Sequence, residues 1–200
     1  MTALERTLRL TAEVLDGLEV PWALVGGLAV SARTEPRFTR DIDLAVSVAD
    51  DPTAEAVVRS FLDHGFQVAS LVEQDVLERL ATVRLRPPTT SDTALLVDLL
   101  FASSGIEAEI GADADRIEIF PGLPVAVASA AHLLALKVLA RDDRARPQDA
   151  ADIRALVPVI DPCGIARARE ASRLIMDRGF NRERDLEADL ETCLQQMSEP

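Results

Sequence analysis

The chain holds one lysine against 20 arginines, two histidines and two cysteines, and each scarcity closes off a class of function. Two cysteines cannot build a disulfide-stapled scaffold. Cys163 and Cys193 lie 30 positions apart with no metal-ligand spacing, so they read as free thiols of a reducing, cytoplasmic compartment. His64 and His132 have no cysteine or acid partner at metal spacing and read as structural. No apolar run reaches the length of a membrane span, and Met1–Arg6 lacks the basic and apolar blocks of a signal peptide. Internal repeats and low-complexity tracts are also missing. Positive charge is scarce throughout: the net charge is −13, with 9 basic and 16 acidic side chains in residues 1–100 and 12 and 18 in residues 101–200. That argues against a nucleic-acid binder that works by neutralising phosphates over a broad surface. It leaves room for a local basic groove or a basic partner protein, and it favours solubility.

What the chain has is apolar content. At 200 residues and 48% hydrophobic, it can bury a core as one compact domain with a helical extension. Helical spacing of Leu4, Leu8, Ala12 and Leu15 predicts a helix over 3–18, and a short strand follows from Pro21 to Val25. Gly26-Gly27 break that strand and Leu28–Ala32 begin a helix. Further strands are expected at 42–48, 66–71 and 81–86, with a helix from about 50 to His64 and a short helix over 73–80. Pro87–Asp92 reads as a loop. Residues 106–127 hold short strand candidates, with Gly111–Asp115 as a solvated turn. From Ser129 onward the pattern is helical: 130–141, 147–156, 162–178 and 183–197.

Three aspartates stand out. Asp41 and Asp43 are two apart on a predicted strand, so their carboxylates face the same way. Such a pair repels and is costly to bury without a counter-charge. Asp98 interrupts the apolar run Ala94–Phe101, a central strand where an aspartate must be paired, metal-bound or protonated. If that strand lies beside the first, three carboxylates converge. This is enough for two metal ions and an in-line displacement at phosphorus. Magnesium is suited to it, taking oxygen ligands and one or two carboxylates. The turn at Gly26-Gly27, between strand and helix, points backbone N–H groups outward as a phosphate cradle.

Lys137 sits in the apolar run Leu133–Ala140. A chain that uses arginine everywhere else keeps here the compact ammonium that suits a phosphate oxygen. The other reading is a lysine at a helix edge with its stem snorkelling to water. Asp149 and Asp152, three apart, share a helix face, with Arg144 and Arg146 near its N-terminal end. Together with Lys137 these arginines could form a cationic cluster, or the face could be solvated and internally paired.

In these residues the chain resembles the polymerase-beta-type nucleotidyltransferase superfamily, and within it the AbiEii-like toxin branch of bacterial toxin–antitoxin systems. The likeness rests on Gly26-Gly27-Leu28-Ala29, on Arg37-Phe38-Thr39-Arg40-Asp41-Ile42-Asp43-Leu44, and on Asp98. It continues through Leu133–Lys137 and Arg146–Ile153, covering roughly residues 20–157. One departure is Gln148-Asp149 where the family often has Lys-Asp. The resemblance implies an α/β fold: a small mixed twisted sheet with helices on one face, as a nucleotidyltransferase core over 1–128, then an all-helical part over 129–200. It implies Asp41, Asp43 and Asp98 as catalytic and metal ligands for two Mg2+ ions. Gly26, Gly27 and Lys137 would bind the nucleoside triphosphate. Arg37 and Thr39 are weaker candidates, Thr39 equally as a hydrogen-bonder that shapes the turn. The implied reaction moves a nucleoside monophosphate to a transfer-RNA end or a partner protein, with a cognate antitoxin as a further partner and no membrane. Other readings are a catalytically silent nucleotide- or partner-binding subunit, and a small-molecule (antibiotic) nucleotidyltransferase.

Overall fold

The computed structural model describes residues 1–74, 79–88, 95–142 and 147–198. Helix α1 (Ala3–Gly17) starts on Thr2, whose hydroxyl accepts the Glu5 N–H. Strand β1 (Trp22–Val25) runs straight into α2 (Gly26–Arg33), and an extended segment leads to β2 (Ile42–Val46). Asp50 caps α3 (Asp51–Asp63) by accepting the Thr53 N–H, with Pro52 in the first turn. Strands β3 (Gln67–Gln74), β4 (Arg79–Arg86) and β5 (Val97–Leu100) follow, then α4 (Glu107–Ala112), β6 (Asp115–Phe120) and β7 (Leu123–Val127). The remainder is helical: α5 (Ala130–Ala140), α6 (Pro147–Leu156), a 3-10 turn (Val157–Val159), α7 (Pro162–Asp177) and α8 (Leu186–Ser198).

The seven strands form one mixed sheet in the order β3-β4-β5-β2-β1-β7-β6. Strands β2 and β5 are parallel, as are β1 and β7; the other neighbours are antiparallel. The strand read at 81–86 pairs antiparallel with the Asp98 strand. Register gives this half of the sheet two faces. Ile42, Val97 and Leu85 form one cross-strand row and Leu44, Leu99 and Val83 the next, and all six are fully buried. Asp43, Asp98 and Arg84 form the row between them, and by strand alternation they point the other way. Helix α3 packs against β3 and β4, and α2 and α4 pack against β1 and β2. Helix α5 is apolar all round, with Leu133, Leu134, Ala135 and Val138 fully buried, as befits a helix enclosed by others. Its neighbours are α2, α6, α7 and α8.

Three expectations are corrected. The helix expected over 73–80 is replaced at both described ends: Glu73 and Gln74 end β3 and Arg79 and Leu80 begin β4, paired across the ladder, while residues 75–78 lie outside the described residues. Glu, Gln, Leu and Arg favour helix locally, but cross-strand pairing overrides that weak preference. The strand expected from Ile106 is instead α4, and the turn expected over Gly111–Asp115 is confined to residues 113–114, between α4 and β6. The Glu107 carboxylate of α4 accepts the N–H groups of Ser103 and Ser104 and the Ser104 hydroxyl, which anchors the first turn. Helix α8 begins at Leu186 rather than 183, because Arg182 and Glu183 adopt positive φ of 53° and 60°. The last loop residues of Pro87–Asp92, and Arg144 and Arg146, lie outside the described residues. Both cysteines are free, Cys163 exposed and Cys193 buried. Among the described residues no helix is long and apolar enough to cross a membrane.

Candidate active site

The strand wall of the site is set by register. The pairing of parallel β2 and β5 puts Asp43 directly opposite Asp98, and that of β4 with β5 puts Arg84 opposite Asp98 on the far side. Asp41 precedes β2 by one residue and lines the same cleft, whose volume is about 710 Å³. Arg84 holds Asp98 in a two-pronged ion pair: its Nε donates to Oδ1 at 2.8 Å and its Nη2 to Oδ2 at 2.6 Å.

The end of the cleft is the turn between β1 and α2. Gly26 has φ of +64°, and a Cβ there would lie 1.9 Å from Asp43 Oδ2. Only glycine fits, for both its φ and its lack of a side chain. A Cβ on Gly27 would lie 2.6 Å from Arg37 Nη2 and 3.1 Å from Thr39 Oγ1, so the segment before β2 lies directly on this turn. Ser31 fastens it there: its hydroxyl donates to the Gly27 carbonyl at 3.0 Å and accepts the Arg37 N–H at 3.3 Å. The first N–H groups of α2 therefore open beside the carboxylates.

The helix wall carries a second charge network. Lys137 Nζ lies 2.7 Å from Asp149 Oδ1 and 2.8 Å from Asp152 Oδ2. Asp152 also accepts two hydrogen bonds from Arg37, at 2.6 and 2.8 Å. Asp149 and Asp152 do share a helix face, but it is buried rather than solvated. Lys137 is 13% exposed and ion-paired, not a snorkelling edge residue. Arg37 is committed to Asp152, which ties the segment before β2 to α6. The second oxygen of Asp149 is buried on the cleft wall without a hydrogen-bond partner.

Electrostatics mark the strand wall as short of positive charge. Burial, then the Asp98 charge, push the Asp43 carboxyl up to about 7, despite Lys137 and Arg84 nearby. Burial and Asp98 also raise Asp41. A hard divalent cation would relieve this, and the donor set (carboxylate oxygens beside backbone N–H groups) fits magnesium with a phosphate. Among the described residues, however, no three Asp, Glu, His or Cys side chains are grouped tightly enough to close on one ion. The three aspartates share one cleft, and Arg84 engages both oxygens of Asp98. Neither histidine is near: His132 is buried with its pKa lowered by that burial and its Nδ1 3.0 Å from the Ser129 hydroxyl. His64 Nδ1 lies 2.7 Å from the Ser60 carbonyl.

The family model described as "Nucleotidyl transferase AbiEii toxin, Type IV TA system" matches residues 9–197. The chain belongs to this family. No curated protein matches it. Among solved structures it is similar to an antigenic nucleotidyltransferase-like protein from Paracoccidioides brasiliensis. The two share 21% identity over 96% of this chain and 91% of that one, with a TM-score of 0.53. It is also similar to the antibiotic-resistance factor ANT(2'')-Ia, at 18% identity, 98% and 92% coverage and a TM-score of 0.51. These likenesses show the nucleotidyltransferase fold. The AbiEii family is one of nucleotidyltransferases, and nucleotidyl transfer is the activity of this chain.

Sequence reasoning missed Arg84, the partners of Asp152 and the exposure of Phe38. Arg84 needs the strand register to be found. Asp152 needs a contact with Arg37 across 115 positions. Phe38 is 78% exposed on the cleft rim, with the Arg40 guanidinium 5.2 Å from its ring centre. An exposed aromatic inside a charged motif was the available signal.

Proposed function

We propose that this AbiEii-family nucleotidyltransferase moves a nucleoside monophosphate from a nucleoside triphosphate to a hydroxyl of a transfer-RNA end or a protein, with pyrophosphate as the leaving group, as the toxin component of a type IV toxin–antitoxin system in the cytoplasm. The observation that carries it is the cross-strand row Asp43–Asp98 against the Gly26 turn, where the missing Cβ leaves room only for the Asp43 carboxylate. In this reading residues 1–128 are the catalytic core and 129–200 the helical part that supplies Lys137. Asp41, Asp43 and Asp98 would hold two magnesium ions, which would supply charge neutralisation of the triphosphate and activation of the attacking oxygen. Gly26 and Gly27 N–H groups take phosphate oxygens at the helix start, and Lys137 adds positive charge beside them. Asp98, once free of Arg84, takes the acceptor proton. Phe38 with Arg40 offers a flat surface at the rim.

The acidic surface weighs against long contacts with RNA, so the acceptor meets the protein mainly through the group that enters the cleft. The test is incubation with each labelled nucleoside triphosphate, magnesium and total cell extract, followed by fractionation into RNA, protein and small molecules. Label in RNA or protein is expected. Label confined to small molecules replaces this reading with an antibiotic-type transferase. No label anywhere leaves a silent binding subunit.

A further inference from the structure

The cleft has its own cation at the place where the proposed chemistry needs one. Arg84 and Asp98 are register partners on adjacent antiparallel strands, and both Asp98 oxygens are occupied by guanidinium N–H groups at 2.8 and 2.6 Å. The two partners differ in burial: the Asp98 side chain is 9% exposed and that of Arg84 is 43% exposed. The carboxylate is thus fixed in the sheet, while the guanidinium reaches it from the open side of the cleft. Among the described residues no three acids are grouped to close on one ion.

We infer that Arg84 is a built-in counter-ion that occupies Asp98 in the metal-free protein, and that a divalent cation entering the cleft must displace it from that carboxylate. This rests on the nucleotidyl-transfer reading, because it takes the three aspartates as the cation's ligands. A bidentate guanidinium–carboxylate pair is among the stronger side-chain interactions, and its planar fork matches both oxygens. A metal ion competing for those oxygens must break at least one charge-assisted hydrogen bond. The exposed stem of Arg84 gives it water to retreat into, which a buried arginine would lack. In the resting state the device lowers repulsion among three carboxylates. It also keeps the third aspartate from acting until the cation is in place. Metal loading and the freeing of Asp98 thereby become one event.

The probe is Mn2+ alone, without nucleotide, titrated into the full chain by calorimetry and by electron paramagnetic resonance of the free ion. Wild type, Arg84→Met, Arg84→Lys and Arg40→Met are compared. Arg84→Met is expected to tighten Mn2+ binding about ten-fold, the scale of one charge-assisted hydrogen bond relieved of competition. Arg84→Lys keeps the charge but loses the fork, so it should fall between the two. It also serves as the test variant if Arg84→Met does not fold. Arg40→Met removes a cleft cation that does not hold Asp98 and should change affinity less. Equal gains in Arg84→Met and Arg40→Met, with Arg84→Lys unchanged, reduce the effect to net charge and overturn the inference. Unchanged or weaker binding in Arg84→Met overturns it as well and makes Arg84 an orienting partner of Asp98. In both cases Mn2+ still binds and the transfer reading stands. If no form binds Mn2+, the inference and the metal-dependent reading fail together.

Discussion

The two walls of the cleft solve the same electrostatic problem in different ways. On the helix wall, Lys137 and Arg37 converge on Asp152, which is 1% exposed, and Asp149 shares Lys137. On the strand wall one half-exposed arginine faces Asp98, and Asp41 and Asp43 have no such direct partner among the interactions described above. The helix wall is balanced by two cations on two buried acids, with Lys137 13% and Arg37 32% exposed at the side chain. The strand wall carries more negative charge than its cation offsets. A buried, closed network holds elements together; an under-neutralised, accessible one recruits a charge from solution. The contrast assigns the first to architecture and the second to chemistry.

The largest effect on stability should come from opening the helix wall. Asp152→Ala strands two cations and breaks the link between α6 and the segment before β2. A loss of about 3–5 kcal/mol in urea unfolding is expected for breaking a buried pair. A loss within the range of exposed pairs, below about 1 kcal/mol, would erase the distinction between the walls. Lys137 stands between them, bonded to the helix wall yet close enough to act on Asp43. Lys137→Ala should weaken magnesium-dependent triphosphate binding by about 1.5–3 kcal/mol, and Lys137→Arg by less. Equal calorimetric affinities for wild type and Lys137→Ala would confine this lysine to its structural pairs. The smallest effect belongs to Arg84. Its removal should cost about 1–2 kcal/mol of metal-free stability, between the exposed and buried ranges. A cost as large as that of Asp152→Ala would make Arg84 part of the scaffold.

Much of the strand wall was legible in the sequence, because its signals are local. The two-residue spacing of Asp41 and Asp43, an aspartate inside an apolar strand, and a Gly-Gly break before a helix each carry a reason that needs no tertiary contact. The long helices α1, α3, α5 and α7 were legible from apolar spacing, and the structure adds their caps at Thr2, Asp50, Ser129 and Asp161. Helix α4 has no side-chain cap: its N-cap is Ile106, and Glu107, its first residue, turns back to Ser103 and Ser104. What stayed hidden depended on register or distance. Nothing local says that Arg84 rather than Arg86 opposes Asp98. Nothing near Arg37 announces a carboxylate 115 positions away. Lys137 was singled out for the right oddity, a lone lysine in an apolar helix, but the carboxylates that hold it are visible only once α6 is folded against α5.

The central claim is that Asp43 is a charge held under strain for chemistry, and Asp43→Asn tests it most directly. In the metal-free fold its carboxyl is pushed up to about 7 from an ordinary 3.8, so the folded state binds a proton that the unfolded chain has lost. The folded protein then loses stability as pH rises from about 4 to about 7, and that loss persists above this window. Asparagine removes this titration. Thermal unfolding of metal-free wild type and Asp43→Asn across that window and at pH 8, run beside the labelled transfer assay, reads both consequences. The account predicts a flatter pH profile, equal or higher stability of the variant at pH 8, and transfer reduced by orders of magnitude. Lower stability at pH 8 with transfer unchanged would assign Asp43 to the scaffold and contradict it.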